Sequence, residues 1–356
     1  MLDRTGTDMP GRGRLAHAPA DHPALAPAKV GILLVNLGTP DGTDYWSMRR
    51  YLSEFLSDKR VIDYSPWLWQ PILQLIVLSK RPFSSGEAYR GIWNEAENES
   101  PLLTITRSQT AKLRQRLEAK HGAKVVVDFS MRYGNPSTDA AIRRLQSQGC
   151  ERILFLPLYP QYAGATTATA NDHAFRTLMR MKWQPAIRTA ASYYDDPLYI
   201  EALAGSVERA YGALDHRPDA LVTSYHGLPQ RYLTEGDPYH CHCQKTSRLL
   251  RERLGMDADE LVVAFQSRFG PEEWLQPYTV EEVARLAKAG KRRIAVIAPA
   301  FSSDCVETLE EINEEIKDAF VEAGGAEFTY IPCLNDDDAH IDLIEAIVAR
   351  EAAGWL

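Results

Sequence analysis

Short, unbroken apolar runs recur along this chain, each ending in a turn and most followed by a stretch with helical spacing. VGILLV at 30–35 runs into NLGTPDG, and KVVVDFSMRYGNP at 124–136 closes on a Gly–Asn–Pro turn. CERILFLPLYPQY at 150–162, DALVTSYHGLP at 219–229, LVVAFQSRFGP at 261–271 and RRIAVIAPAFSSD at 292–304 repeat the form. Runs of this length without polar alternation predict strands buried on both faces, hence parallel sheets. Between them, STDAAIRRLQSQG, YIEALAGSVERAYGAL, CQKTSRLLRERLG and TVEEVARLAKAG carry helical periodicity. Gly149, Gly255 and Gly290 close three of these, as expected of the residue just past a helix. The pattern is that of an α/β protein with helices covering its sheets.

The pattern also repeats. AAIRRLQSQGCERILFLPLYP is similar to EEVARLAKAGKRRIAVIAPAF in order and spacing, with the strand of the second longer by a residue. Each gives a helix, a glycine, a basic residue, an apolar strand and a proline at the strand's carboxyl end. Two similar halves facing each other across a cleft is the economical interpretation. The loops after Pro157 and Pro299 then both face that cleft. We expect a flexible tail at 1–28, a first domain at 29–190, a second at 191–335, and a last helix at 336–356 folding back on the first.

Composition narrows the class. The 356 residues are 45% hydrophobic and 25% charged, as in a soluble globular protein. A net charge of −8 without a basic stripe argues against a nucleic-acid partner. Five scattered cysteines suit a reducing cytoplasm better than a disulfide framework. The tail is rich in Pro, Gly and Ala and lacks the apolar core of a signal peptide. YSPWLWQPILQLIVL at 64–78 is the most apolar stretch, interrupted by Pro66 and Pro71 and too short to span a bilayer. It is either a core helix or a lip over an apolar ligand or membrane.

Two places could carry chemistry. His226 of SYHGLP ends an apolar strand, where α/β sheets bind their ligands, or it is a satisfied turn residue. After Pro299, Val306, Leu309, Ile312, Ile316 and Phe320 form a buried helical stripe, while Glu307, Glu311 and Glu315 lie four apart on another face. Such a face is a solvated acidic surface, with Asp304 and Glu307 at capping-box spacing, or a carboxylate ladder that passes cations or protons inward. YHCHCQKT at 239–246 lacks a second pair at zinc-finger spacing and is expected to be a surface turn. No phosphate-binding glycine motif follows a strand.

These segments together resemble the ferrochelatase family, whose members insert ferrous iron into a porphyrin to make haem. The resemblance runs from about Lys29 to Asn335. It rests on VNLGTPDG, EAYRGIWN, SMRYGNP, LYPQYAGATT, SYHGLPQRYLTEGDPY, FQSRFGPEEWLQPYT and SSDCVETLEEI, in that order. It implies two Rossmann-like domains of the class II chelatase kind, with protoporphyrin IX and ferrous iron as substrates. His226 and Glu307 match the active-site pair, and Glu311 and Glu315 the acidic positions thought to carry metal or protons. Arg132 matches a pocket residue suited to a propionate, and Tyr133, Tyr159, Tyr89 and Trp274 match aromatic pocket residues. The stretch at 64–78 falls where the family has a lip that covers the porphyrin and touches the bilayer, which implies a cytoplasmic enzyme peripheral to the inner membrane. Some members carry a [2Fe–2S] cluster on cysteines near the carboxyl terminus. This chain ends EAAGWL, and has Ala163 and Gly164 where cluster-bearing relatives supply a cysteine, so none is expected. Cys305 stands where some relatives have a second histidine. Coproporphyrin, a corrin precursor taking cobalt, or a non-catalytic tetrapyrrole carrier are the alternatives.

Overall fold

The computed structural model describes residues 28–356, so of the expected tail only Ala28 lies within it. The six apolar runs form strands β1 (Lys29–Thr39), β2 (Val125–Gly134), β3 (Cys150–Pro157), β5 (Ala220–His226), β6 (Leu261–Gln266) and β7 (Arg293–Ile297). Two further strands, β4 (Ala186–Thr189) and β8 (Glu327–Ile331), were not expected. Each lies at the edge of a sheet, where it pairs on one side only. AIRT and EFTYI are half exposed and carry no unbroken apolar run, unlike β2 and β6 at the opposite edges.

The sheets have the orders β2-β1-β3-β4 and β6-β5-β7-β8, parallel throughout. These are one topology used twice. The repeated segments occupy equivalent places, α5 (Thr138–Ser147) leading into β3 and α10 (Thr279–Lys288) into β7. Gly149, Gly255 and Gly290 all have positive φ at helix ends, where a β-carbon would strain the backbone.

In chain order, α1 (Tyr45–Leu56) follows β1, then α2 (Pro66–Ile72), a π-helical turn at Leu73–Val77, and α3 (Leu78–Ile92). α4 (Pro101–His121) leads to β2, and a second π turn at Gly164–Ala168 opens α6 (Thr169–Met179). The second half adds α7 (Pro197–Gly212), α8 (Gln230–Thr234) and α9 (Tyr239–Leu254). The acidic segment after β7 is a third π-helix, Glu307–Ile316, continuing as α11 (Lys317–Glu322). α12 (Asp338–Glu351) comes last and joins α4 through ion pairs such as Arg116–Asp338 (3.2 Å) and Lys120–Glu345 (2.6 Å). Two expectations need correcting. YHCHCQKT is the first two turns of α9 and not a surface turn, because Cys243, Thr246 and Leu250 continue its buried stripe. Pro71 lies inside α2 without breaking it. Pro82, which was not singled out in the sequence, likewise lies inside α3. The Leu78 carbonyl that Pro82 cannot bond accepts from Tyr45 (3.0 Å) and Arg49 (2.7 Å) instead.

One apolar core is shared by the halves. Ile32, Leu154 and Leu113 from the first join Leu221, Ala295 and Leu203 from the second, with Ile344 and Ile347 of α12. Outer cores back each sheet separately. The stretch at 64–78 belongs to neither of these. Trp69, Leu73 and Leu78 pack inward, but Trp67 is 90% and Leu75 76% exposed. Among the described residues no helix is long and apolar enough to cross a membrane.

Candidate active site

The carboxyl ends of β5 and β6 lie side by side, with His226 paired in register to Gln266. The His226 ring nitrogen Nδ1 sits 2.7 Å from the Gly227 carbonyl. A carbonyl only accepts, so Nδ1 carries the proton and the Nε2 lone pair of the neutral ring is left for another partner. The Trp274 ring lies 6.5 Å from the imidazole, centroid to centroid. Glycine is required at 227 by close approach. A β-carbon there would come within 2.7 Å of the Gln266 carbonyl and 3.1 Å of the Trp274 ring.

Gln266 and Ser267 tie this strand end to the acidic helix. The buried Gln266 accepts from the Ser224 hydroxyl (2.6 Å), which fixes its amide so that Nε2 points outward. That nitrogen donates to the Glu307 carbonyl (2.8 Å) and to the Glu311 carboxylate (3.1 Å). Ser267 adds its N–H (2.7 Å) and its hydroxyl (2.5 Å) to the same carboxylate. To do so it adopts φ +63°, a left-handed conformation that costs an L residue on the order of 1 kcal/mol or more. Burial pushes the Glu311 carboxyl above its ordinary pKa and the Glu307 charge adds to this, while Ser267, His226 and Gln266 pull it back down. His226 and Glu307 thus both lie within electrostatic reach of Glu311. Glu315 is exposed further along. A π-helix bonds i to i+5, so positions four apart fall nearly in line. The buried stripe accordingly runs Thr308, Ile312, Ile316, Phe320, with Val306 and Leu309 only half buried. Among the described residues no three His, Cys, Asp or Glu side chains converge to hold a metal ion.

The expected capping box is displaced by one residue. Cys305 is the cap, its N–H bonded to the Thr308 hydroxyl (3.0 Å). Asp304 turns away to accept from Asn335 (2.6 Å), Thr308 (3.1 Å) and Tyr330. Gln109 of α4 reaches Ser303 (3.0 Å) and the Asn335 carbonyl (2.8 Å), so the first half braces the start of the acidic helix.

Opposite stands an aromatic wall in which Tyr51, Phe55, Tyr89 and Tyr133 cluster with Val306 packed against them. Burial raises the Tyr51 and Tyr89 hydroxyl pKa values, and the charge of Glu307 raises them further, which puts that carboxylate beside the wall. Tyr133 is fully buried, with no surface left to touch a ring, and donates to Asp58 (2.8 Å). Arg132 is 6% exposed. It pairs with Asp58, donates to Thr169 (2.7 Å) and His173 (3.2 Å), and lies over the Tyr133 ring. Its fork is already filled. The Tyr159 hydroxyl and the Trp274 indole N–H are buried without a partner among the described residues. At the edge, Arg81 of α3 lies 5.1 Å over Phe269 of the other half and has no carboxylate partner among the described residues. Sequence reasoning missed the roles of Gln266, Ser267 and Asp58. The first two stand as polar residues ending an apolar strand, but only the β5–β6 register shows what they serve.

A family model described as Ferrochelatase matches residues 29–352. The chain is 67% identical over 343 residues to the ferrochelatase of Rhodobacter capsulatus, covering 96% of this chain and 98% of that one. It is 58% identical over 342 residues to that of Agrobacterium fabrum, covering 96% and 99%. Among solved structures, SirB from Bacillus subtilis with Fe3+ superposes with a TM-score of 0.52 at 14% identity, over 92% of this chain and 97% of that one. DR2241 from Deinococcus radiodurans gives 0.53 at 11%, over 90% and 55%. These two similarities show a common fold.

Proposed function

This chain belongs to the ferrochelatase family, and from that premise we propose that His226 and Glu307 form the centre at which porphyrin protons leave and ferrous iron arrives. The reaction inserts ferrous iron into protoporphyrin IX, forms protohaem and releases two protons, the last step of haem biosynthesis. A neutral macrocycle must lose both pyrrole protons as a dication enters, so the site needs a base near neutrality and carboxylates that tolerate partial desolvation. The Nε2 lone pair of His226, left free by the Nδ1 contact with the Gly227 carbonyl, serves as that base. Glu307 takes up the second proton or meets the metal, and Glu311 and Glu315 lead outward along the helix as its relay. The observation that carries this reading is Gln266, which adjoins His226 in the sheet and bonds both Glu307 and Glu311.

Tyr89, Tyr159 and Trp274 line the porphyrin pocket in this reading. The unpartnered Tyr159 hydroxyl and Trp274 N–H are donors a ligand would satisfy. A propionate finds Arg132 already neutralised by Asp58, so we assign that contact to Arg81 at the edge and give Arg132 and Tyr133 a supporting role. We further propose that the chain works without an iron–sulfur cluster, since Ala163 and Gly164 stand where cluster-bearing relatives supply a cysteine. The lip then meets the cytoplasmic side of a bilayer, supported by its exposed Trp67, Leu68, Leu75 and Ile76.

The test is anaerobic insertion of ferrous iron into protoporphyrin, followed by absorbance, with zinc as a second metal. Wild type turns over, and His226→Ala and Glu307→Gln fall by roughly 10²–10⁴-fold while still binding porphyrin. Tight porphyrin binding without turnover by wild type would make the chain a carrier.

A further inference from the structure

Beside the lip lies a cavity of about 910 Å³ that the reaction leaves unused, lined by six basic side chains and three carboxylates. Its carboxylates are engaged, Glu54 by the Gly134 N–H (3.0 Å). Asp58 holds Arg132, and Asp172 is shared by Arg60 (3.0 Å) and Arg176 (3.6 Å). At the rim, exposed Arg50 donates to the Ser47 hydroxyl (3.0 Å) and has Asp41 at 4.0 Å as its one carboxylate partner among the described residues, and exposed Lys59 has none. In a chain of net charge −8, this is a local positive field that draws anions.

The same cavity shares a wall with the apolar lip. Ser53 of α1 and Ser57 just past its end line it and accept hydrogen bonds from Gln74 (3.1 Å) and Gln70 (3.0 Å) of the lip helix. Trp46, also in its lining, is 65% exposed. Tyr45 packs between Trp46 (5.0 Å) and exposed Phe83 (4.8 Å), so an aromatic band joins the cavity to α3. A free anion would satisfy the cations and leave that band in water. An amphiphile uses both features at once.

We propose that this cavity seats the phosphate of an anionic phospholipid while its chains lie over Trp46, Phe83 and the lip. Cationic charge beside an apolar face gives an interfacial protein its preference for anionic bilayers. The proposal rests on the reading of the lip as a membrane surface, and the experiment separates the two.

The full chain is co-sedimented with vesicles of phosphatidylcholine alone or mixed with phosphatidylglycerol. Wild type binds the anionic vesicles on the order of ten-fold more tightly, and added salt erodes the difference. Arg50→Glu/Lys59→Glu loses that preference. Lys288→Glu/Lys317→Glu, with the same change in net charge on the other half, keeps it. Trp67→Ser/Leu75→Ser weakens binding to both kinds of vesicle, which tests the lip independently. Equal affinity of wild type for the two vesicles, or equal losses in the two charge variants, overturns the cavity proposal and leaves the lip reading standing. Binding to neither vesicle overturns both. Calorimetric binding of inorganic phosphate without vesicle preference would reassign the cavity to a free anion.

Discussion

Glu311 is gripped by three donors, yet burial still leaves its charged form costly. A carboxyl whose pKa is raised by folding contributes stability below its unfolded value and loses it as pH climbs through the folded one. At neutral pH the ionised side chain therefore works against the fold. Glu311→Gln keeps an oxygen for Ser267 and removes the buried charge. It should raise Tm by roughly 1–3 °C at neutral pH, an advantage that shrinks toward about pH 4, where the native carboxyl is itself protonated. Turnover should fall in the same variant. Thermal scans across pH check the first claim, and a lower Tm at pH 7 would mean that the charge-assisted bonds outweigh desolvation. Ser267 belongs to the same trade. Its left-handed backbone is a strain that the two bonds to Glu311 offset.

At the scale of elements, the lip helix divides cleanly by face. Leu73 is fully buried against Leu52, Leu56 and Tyr51, whereas Trp67 meets solvent. Leu73→Ala should cost about 2–5 kcal/mol in urea unfolding, and Trp67→Ser less than about 0.5 kcal/mol. A large loss from Trp67→Ser would mean that this face is packed in the folded chain. The apolar composition of 64–78 left core helix and lip undecided because it records how much of the helix is apolar, not what lies opposite each side. Proline as a helix breaker was misleading at Pro71 for a related reason, which Pro82 of α3 makes plain. The unmet carbonyl before Pro82 is satisfied by α1 side chains, more than twenty residues away in sequence.

For the whole molecule, the two halves are not independent. The core that joins them draws on β1, β3 and α4 as well as β5, β7, α7 and α12. Gln109 and the ion pairs of Arg116 and Lys120 add polar ties across the same seam. We expect one calorimetric unfolding transition, with calorimetric and van't Hoff enthalpies in agreement. Two resolved transitions would show that each sheet is stable alone. In the proposed function a rigid seam also matters for the chemistry, since His226 and Glu307 lie in one half and the aromatic wall in the other.

By itself the amino-acid sequence determined the alternating β/α order, six of the eight strands, their duplication and the positions of His226 and Glu307. Each of these depends on local pattern or motif, an apolar run long enough to be buried on both faces or a histidine at a strand's end. The tertiary structure alone decided the strands β4 and β8, the Gln266–Ser267 grip on Glu311, the filling of Arg132 by Asp58, and the side of the lip that meets solvent. These depend on partners distant in sequence, as Arg132 and Asp58 are, and a hydrogen bond or ion pair leaves no periodicity in the chain that makes it. Sequence shows which side chains can bond, and only the packed sheets show which of them meet.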